Sequence, residues 1–103
     1  MINMMKYITH KVRCQWNDYY DYRLLIDNIG HVRVTFMSDY IMISDLNVVP
    51  AYRKQGIGDM LLDEADEIIR NENTELPVYI CPLLDWESEW YSRRGYLIAD
   101  KDI

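Results

Sequence analysis

Leu46-Asn47-Val48-Val49-Pro50-Ala51-Tyr52-Arg53-Lys54-Gln55-Gly56-Ile57-Gly58-Asp59-Met60-Leu61-Leu62 decides how this chain is read. An apolar strand runs into a glycine turn, and the turn opens a helix. Glycines at 56 and 58 let the main chain approach a ligand closely, and the first N–H groups of a helix have no intrahelical acceptor. With the helix dipole behind them, those groups make a backbone site for an anion such as a phosphate. Spacing narrows the ligand. A nucleotide-triphosphate loop reads G-x-x-x-x-G-K-[ST], whereas Ile57 alone separates Gly56 from Gly58 and Asp59 follows. A dinucleotide fingerprint requires a further glycine at the position Leu61 holds.

Beyond the turn the apolar period becomes helical. Ile57, Leu61, Ala65 and Ile68/Ile69 share one face, while Asp59, Asp63, Asp66, Glu67 and Arg70 fall largely on the other. This predicts an amphipathic helix ending near Asn71, its acidic face read as a solvated exterior. Before the turn, Tyr22–Asn28 and His31–Met37 flank the turn signal Asn28-Ile29-Gly30, and Ser38-Asp39 leads to a long strand from about Tyr40 to Val49. That pattern is an antiparallel meander. Residues 6–16 fit both an extended run beginning Lys6-Tyr7-Ile8-Thr9 and a helical stripe of Val12, Trp16, Tyr19 and Tyr20; a strand is the preferred reading. After Leu76-Pro77, the run Val78–Cys81 reads as a buried strand, and the strand-helix-strand order implies a right-handed parallel crossover. Asp85 is placed to N-cap a short helix, Trp86–Arg94, which Gly95 stops, and Tyr96–Ala99 reads as the last strand.

The chain has 103 residues, 50% of them hydrophobic and 13% aromatic, which points to a single domain over residues 1–103 with a self-sufficient core. No apolar run is long enough to span a bilayer, and Met1–Lys6 lacks signal-peptide organisation, so a soluble, cytoplasmic protein is expected. Cys14, Cys81, His10 and His31 are scattered without metal-ligand spacing; no metal is expected, and the cysteines read as reduced structural thiols. A net charge of −6 repels a phosphate backbone, so neither direct nucleic-acid binding nor a membrane partner is expected, and a cationic partner is favoured.

Arg53-x-x-Gly56-x-Gly58 after a Leu-x-Val strand resembles the acetyl-coenzyme A site of the GNAT superfamily of N-acetyltransferases. A second anchor is Trp90-Tyr91-Ser92-Arg93-Arg94-Gly95-Tyr96, which is similar to that family's aromatic-Tyr-x-x-x-Gly-Phe signature. The resemblance covers roughly residues 22–100. It implies an α/β fold of the α+β kind, with a mixed central sheet splayed open between strand 40–49 and strand 78–81. Acetyl-coenzyme A is then the implied cosubstrate. Its pantetheine amides would pair with backbone of Leu46 and Val48, as an added strand pairs with an exposed edge. Its pyrophosphate would sit on the N–H groups of Gln55, Gly56, Ile57, Gly58 and Asp59, with charge added by Arg53 or Lys54. Asp59 is awkward beside an anion, and its side chain is expected to point away.

Departures from the family pattern carry their own expectations. The chain before the glycine turn leaves little room for the helix pair that usually walls the acceptor site, so the N-terminal helices are reduced and the acceptor side open. That suits a macromolecular amine. One C-terminal strand stands where two are common, which leaves an edge that a second copy could complete as a homodimer. Leu84 falls where the family often has Asn, and Glu87 where it has a small residue.

Amine acetylation requires a neutral amine, a polarised thioester carbonyl and a stabilised leaving thiolate. A lysine with a pKa of about 10.4 is neutral in only about one molecule per few thousand at pH 7, so its proton must be removed. Tyr91 is the family-matched group for the leaving sulfur; core packing beside Trp86 and Trp90 is the alternative. Met42 stands where relatives place a basic glutamate, leaving Asp45 as the nearest carboxylate on the strand, with Asp85, Glu87 and Glu89 near the sheet opening. His31, His10 and ordered water are the other options for the base. The run Asn17–Tyr22 reads as an aromatic segment packed on the sheet with solvated acids, in preference to a cation–π cradle for a lysine. The expected function is acetyl transfer from acetyl-coenzyme A to a primary amine, a small molecule or a protein lysine. A non-catalytic coenzyme A-binding module acting on a partner protein is the competing reading.

Overall fold

A computed structural model describes residues 8–72, 74–82, 84 and 86–99. Lys6, Tyr7 and Asp85, on which expectations above rest, lie outside them. The chain runs β1 (His10–Gln15), β2 (Tyr20–Ile26), β3 (Gly30–Phe36), β4 (Ile41–Val48), a short 3-10 turn (Pro50–Tyr52), α1 (Ile57–Asn71), β5 (Val78–Ile80), α2 (Glu87–Arg93) and β6 (Leu97–Ile98). The strands form one sheet in sequence order; β1 to β4 are antiparallel, and β5 and β6 join in parallel. Among the described residues this is a mixed sheet with two α-helices, an α+β architecture. None of the described helices is long and apolar enough to cross a membrane.

Strand alternation sorts the sheet into two faces. Leu24, Ile26, Val32, Val34, Phe36, Ile41 and Ile43 are buried and share a core with Ile57, Leu61, Leu62, Ala65 and Ile68 of α1 and with Tyr91 and Tyr96. The ambiguous N-terminal segment is a strand: β1 pairs along its length with β2, joined by a turn in which Trp16 N donates to Tyr19 O at 2.8 Å. The turn before β3 closes through Ile29 N to Ile26 O at 3.0 Å, with Asn28 at φ 61°. Asn is among the few residues that accept this conformation readily.

Gly30 is required by closeness. A Cβ there would stand 2.7 Å from the Asn47 carbonyl oxygen, a backbone atom that cannot swing aside. Gly30→Ala is therefore expected to push β4 off β3 and to destabilise the fold by about 2 kcal/mol, read as a fall in the thermal midpoint.

Three expectations need correction. The strand at 78–81 is shorter and less buried than read: β5 ends at Ile80, the only fully buried residue in it, because β4 and β6 cover it over just a few residues. The acids of α1 are not merely solvated, since Asp59, Asp63 and Asp66 lie on one helical face and converge on Arg94, at 3.0, 2.7 and 3.5 Å. Asp21 is also no solvated acid: it is fully buried on the opposite face of the sheet from α1. There it accepts from Trp16 Nε1 (3.2 Å) and Arg33 Nε (3.1 Å), with Arg23 Nε 3.4 Å away. The pairing of Asp21 with Thr35, on the same sheet face as Arg23 and Arg33, makes that burial possible.

Candidate active site

Only Ile41–Ile43 of β4 pair with β5. From Ser44 onward β4 continues without a strand on that side among the described residues, which opens the sheet at the place the glycine turn enters. A bulge shapes this stretch. His31 faces Asn47 while Arg33 faces Ser44, so two steps along β3 match three along β4, and Asp45 takes φ 56°. Such an insertion bends and twists the bulged strand. Beyond the bulge, Val49 N donates across to Ile29 O at 2.8 Å, on the β3 side. By strand alternation Val48 and Leu46 turn their N–H and C=O the other way, into the gap. Arg53 confirms the direction, its Nε donating to Val48 O at 2.8 Å.

The turn that follows is built for exposed amides. Gly56 at φ 80° is the N-cap of α1, a left-handed conformation that favours glycine, and the first intrahelical bond there is Met60 N to Gly56 O at 3.0 Å. The amides of Ile57, Gly58 and Asp59 precede it and have no acceptor within the helix. Gly58 serves a different purpose. A Cβ at 58 would lie 3.5 Å from the Trp90 ring, so α2 packs directly over the helix start.

Strand edge and amide turn open into one cavity of about 640 Å³, within the range of small-molecule sites. Of the residues expected to hold the cofactor, Leu46, Val48, Arg53, Lys54, Gly56, Ile57, Gly58 and Asp59 line it; Gln55 does not. Asp59 is reconciled with an anion by Arg94, whose Nη1 holds its carboxylate at 3.0 Å. Among the described residues Asn47, Tyr52, Leu84, Trp86, Glu87 and Trp90 also line it. Glu87 is one of the carboxylates expected near the sheet opening; the others lie outside the expected set, where Trp86 and Trp90 stand out by type but which face of α2 meets the turn follows only from packing.

Neither of the expected catalytic residues, Tyr91 and Asp45, is among the described lining residues. Asp45 is exposed on the bulge, 3.9 Å from Arg33 Nη1, and is not among the lining residues. Tyr91 is buried in the core, 3% exposed. Its hydroxyl donates to Glu87 Oε2 at 3.3 Å, and Glu87 does line the cavity. Burial first, and then the charge and hydrogen bond of Glu87, raise the Tyr91 pKa well above the ordinary tyrosine value. The other oxygen of Glu87 accepts from Leu84 N at 2.8 Å. That bond ties the first residue of α2 to the chain ahead of the helix, where Trp86 at the N-cap makes no side-chain capping bond. At the other end Gly95, at φ 93°, lets Tyr96 N return to Tyr91 O at 3.2 Å and ends the helix. Among the described residues no group of His, Cys, Asp and Glu is placed to hold a metal ion.

The geometry agrees with two comparisons. The family model of the acetyltransferase (GNAT) domain matches residues 17–97. An uncharacterized N-acetyltransferase of Schizosaccharomyces pombe is 40% identical over 64 residues, covering 61% of this chain and 44% of the relative. The matched stretch thus spans less than half of that relative's length. With a match running from the β1–β2 turn to β6, taking in the open strand edge, the amide turn and the Tyr91–Gly95 helix end, the chain belongs to the GNAT acetyltransferase family.

Proposed function

We propose that this chain binds acetyl-coenzyme A and transfers its acetyl group to a primary amine. The observation that carries the reading is that the Leu46–Val48 edge, which β5 does not reach, and the Ile57–Asp59 amides open into a single cavity. An extended chain with two amides fits the first, and a pyrophosphate fits the second. Leu46 and Val48 would take the pantetheine arm, and the turn from Lys54 to Asp59 the pyrophosphate. Arg53 donates to Val48 O through Nε, and the Nη1 and Nη2 groups of its guanidinium supply further N–H donors for the anion. What acetyl-coenzyme A supplies when bound is an activated acyl group.

The acceptor is an amine, a small molecule or a protein lysine. The short turn joining β1 to β2, with no helix pair beside it, supports a large acceptor approaching an open face. The outer edge of β6 would be the place for a second copy in a homodimer. A second reading, a coenzyme A-binding module without transfer, is favoured by Asp45 lying outside the cavity lining and by the buried position of Tyr91.

Incubation with acetyl-coenzyme A and a panel of amines and lysine peptides, with free thiol monitored, separates the two. Acceptor-dependent thiol release is expected. Tight coenzyme A binding by calorimetry without release from any acceptor would select the module.

A further inference from the structure

The end of α2 reaches the start of α1 through one side chain. Arg94, the C-cap of α2, sends Nη1 to Asp59 Oδ1 at 3.0 Å, and Nη2 to Asp63 Oδ1 at 2.7 Å and Asp66 Oδ2 at 3.5 Å. We infer that Arg94 is the positioning residue of the anion site: it draws the Asp59 carboxylate off the amides of the glycine turn and offsets its charge, so that a pyrophosphate can take them. This rests on the reading above that the turn holds the pyrophosphate of acetyl-coenzyme A.

Asp59 is the third residue of α1, and its amide is one of those left without an intrahelical acceptor. An acid in the first turn is attracted by the same amides and dipole that attract a ligand anion, so an unrestrained Asp59 competes for the site and repels its occupant. Asp59 lines the cavity and Arg94 is not among the described lining residues, so their bond ties the carboxylate to a group outside the lining. Arg94 is itself held in place. It is 18% exposed, Gly95 at φ 93° ends the helix directly after it, and Tyr96 Oη donates to Asp66 Oδ1 at 2.6 Å from the other side. A guanidinium stays charged and spreads its donors over a planar fork, so one side chain serves three carboxylates.

As a stabilising device this contact is worth little, because Asp59 and Asp63 are more than half exposed and exposed ion pairs contribute weakly. Its larger effect falls on an anion bound beside Asp59. Asp63 and Asp66 stand one and two turns farther along α1, past the first turn to which the dipole effect is confined, so Asp59 is the acid whose charge matters there. The sign of each change follows. Losing Arg94 frees the Asp59 carboxylate toward the amides and weakens anion binding, whereas neutralising Asp59 strengthens it and removes the need for Arg94.

The test is a double-mutant cycle on coenzyme A affinity by calorimetry, with wild type, Arg94→Met, Asp59→Asn and the double variant each measured at about 20 mM and about 500 mM salt. At low salt Arg94→Met is expected to bind about tenfold more weakly than wild type, and Asp59→Asn about threefold more tightly. In the Asp59→Asn background the Arg94→Met change should cost no more than about twofold. The tenfold gap should shrink to about threefold at high salt, where the repulsion is screened. A merely structural Arg94 gives a loss that is equal in both backgrounds and insensitive to salt, and that result would overturn the inference. An Arg94→Met affinity equal to that of wild type overturns it too. If Arg94→Met melts early, Asp59→Asn decides alone: a gain that salt abolishes upholds the inference, and an unchanged affinity at low salt sinks it. All of these results leave coenzyme A binding standing. Absence of coenzyme A binding by the wild type would instead remove the pyrophosphate reading and the role of Arg94 with it.

Discussion

Gly58→Glu is expected to abolish coenzyme A binding in calorimetry while leaving the chain folded. Gly58 is the second residue of α1, and its amide is one of the three that face the turn without an intrahelical partner. Its φ lies outside the left-handed region, and a Cβ would meet the Trp90 ring at 3.5 Å, ordinary van der Waals contact. A side chain is therefore tolerated by the backbone. A carboxylate at this position, however, sits among the amides meant for a phosphate and takes their dipole for itself. Losing two such charge-assisted bonds, at about 1.5–3 kcal/mol each, and adding repulsion predicts a fall in affinity of at least about 100-fold. Gly58→Ala, which adds contact without charge, should retain most of the affinity. An unchanged dissociation constant for Gly58→Glu would place the pyrophosphate somewhere other than this turn.

Asp21→Ala should produce the largest loss of stability. The carboxylate is fully buried, and its Oδ2 takes hydrogen bonds from Trp16 and from Arg33, whose Nη2 also lies 3.0 Å away. Removing it takes the acceptor from the partly exposed Trp16 indole N–H and leaves a guanidinium without its buried counter-charge. Breaking one side of a buried pair costs about 3–5 kcal/mol; Arg33 and Arg23 keep some contact with water, so the low end, about 3 kcal/mol, applies. For a domain of this size that is a fall of roughly 15 °C in the thermal midpoint, read by circular dichroism. Because Arg33 also reaches toward Asp45, the bulge should loosen with it. A shift under about 4 °C would mean that the network is cosmetic.

The parts of the molecule legible in the sequence were those whose requirement is written into residue type or local period. Gly56 and Gly95 sit where the backbone turns left-handed, and the apolar repeat of α1 marks its buried face; both were read with nearly the right bounds. What was not legible depends on partners far away in the chain. The burial of Asp21 is decided by Arg33 on the neighbouring strand, and nothing in Asn17–Tyr22 itself announces it. The acids of α1 read as a solvated face because Arg94, which gathers them, comes some thirty residues later, with sequence separations from 28 to 35. The bulge at Asp45 exists only as a difference in count between two strands, which a single strand cannot reveal. Glu87 is the intermediate case. Its i,i+4 relation to Tyr91 is visible on a helical wheel, yet its place on the cavity wall follows only once α2 folds over Gly58.

β4 outruns β5, and the backbone groups beyond Ile43 face a cavity instead of a strand. A ligand that pairs with those groups completes the sheet, so binding and folding become one linked equilibrium. At a free concentration about 100 times its dissociation constant, such a ligand adds roughly 2.7 kcal/mol to the unfolding free energy. For a small domain whose whole margin is only about 5–15 kcal/mol, that is a substantial share. The persistence of this fold would then follow the supply of its donor, with the metabolite acting as the missing strand.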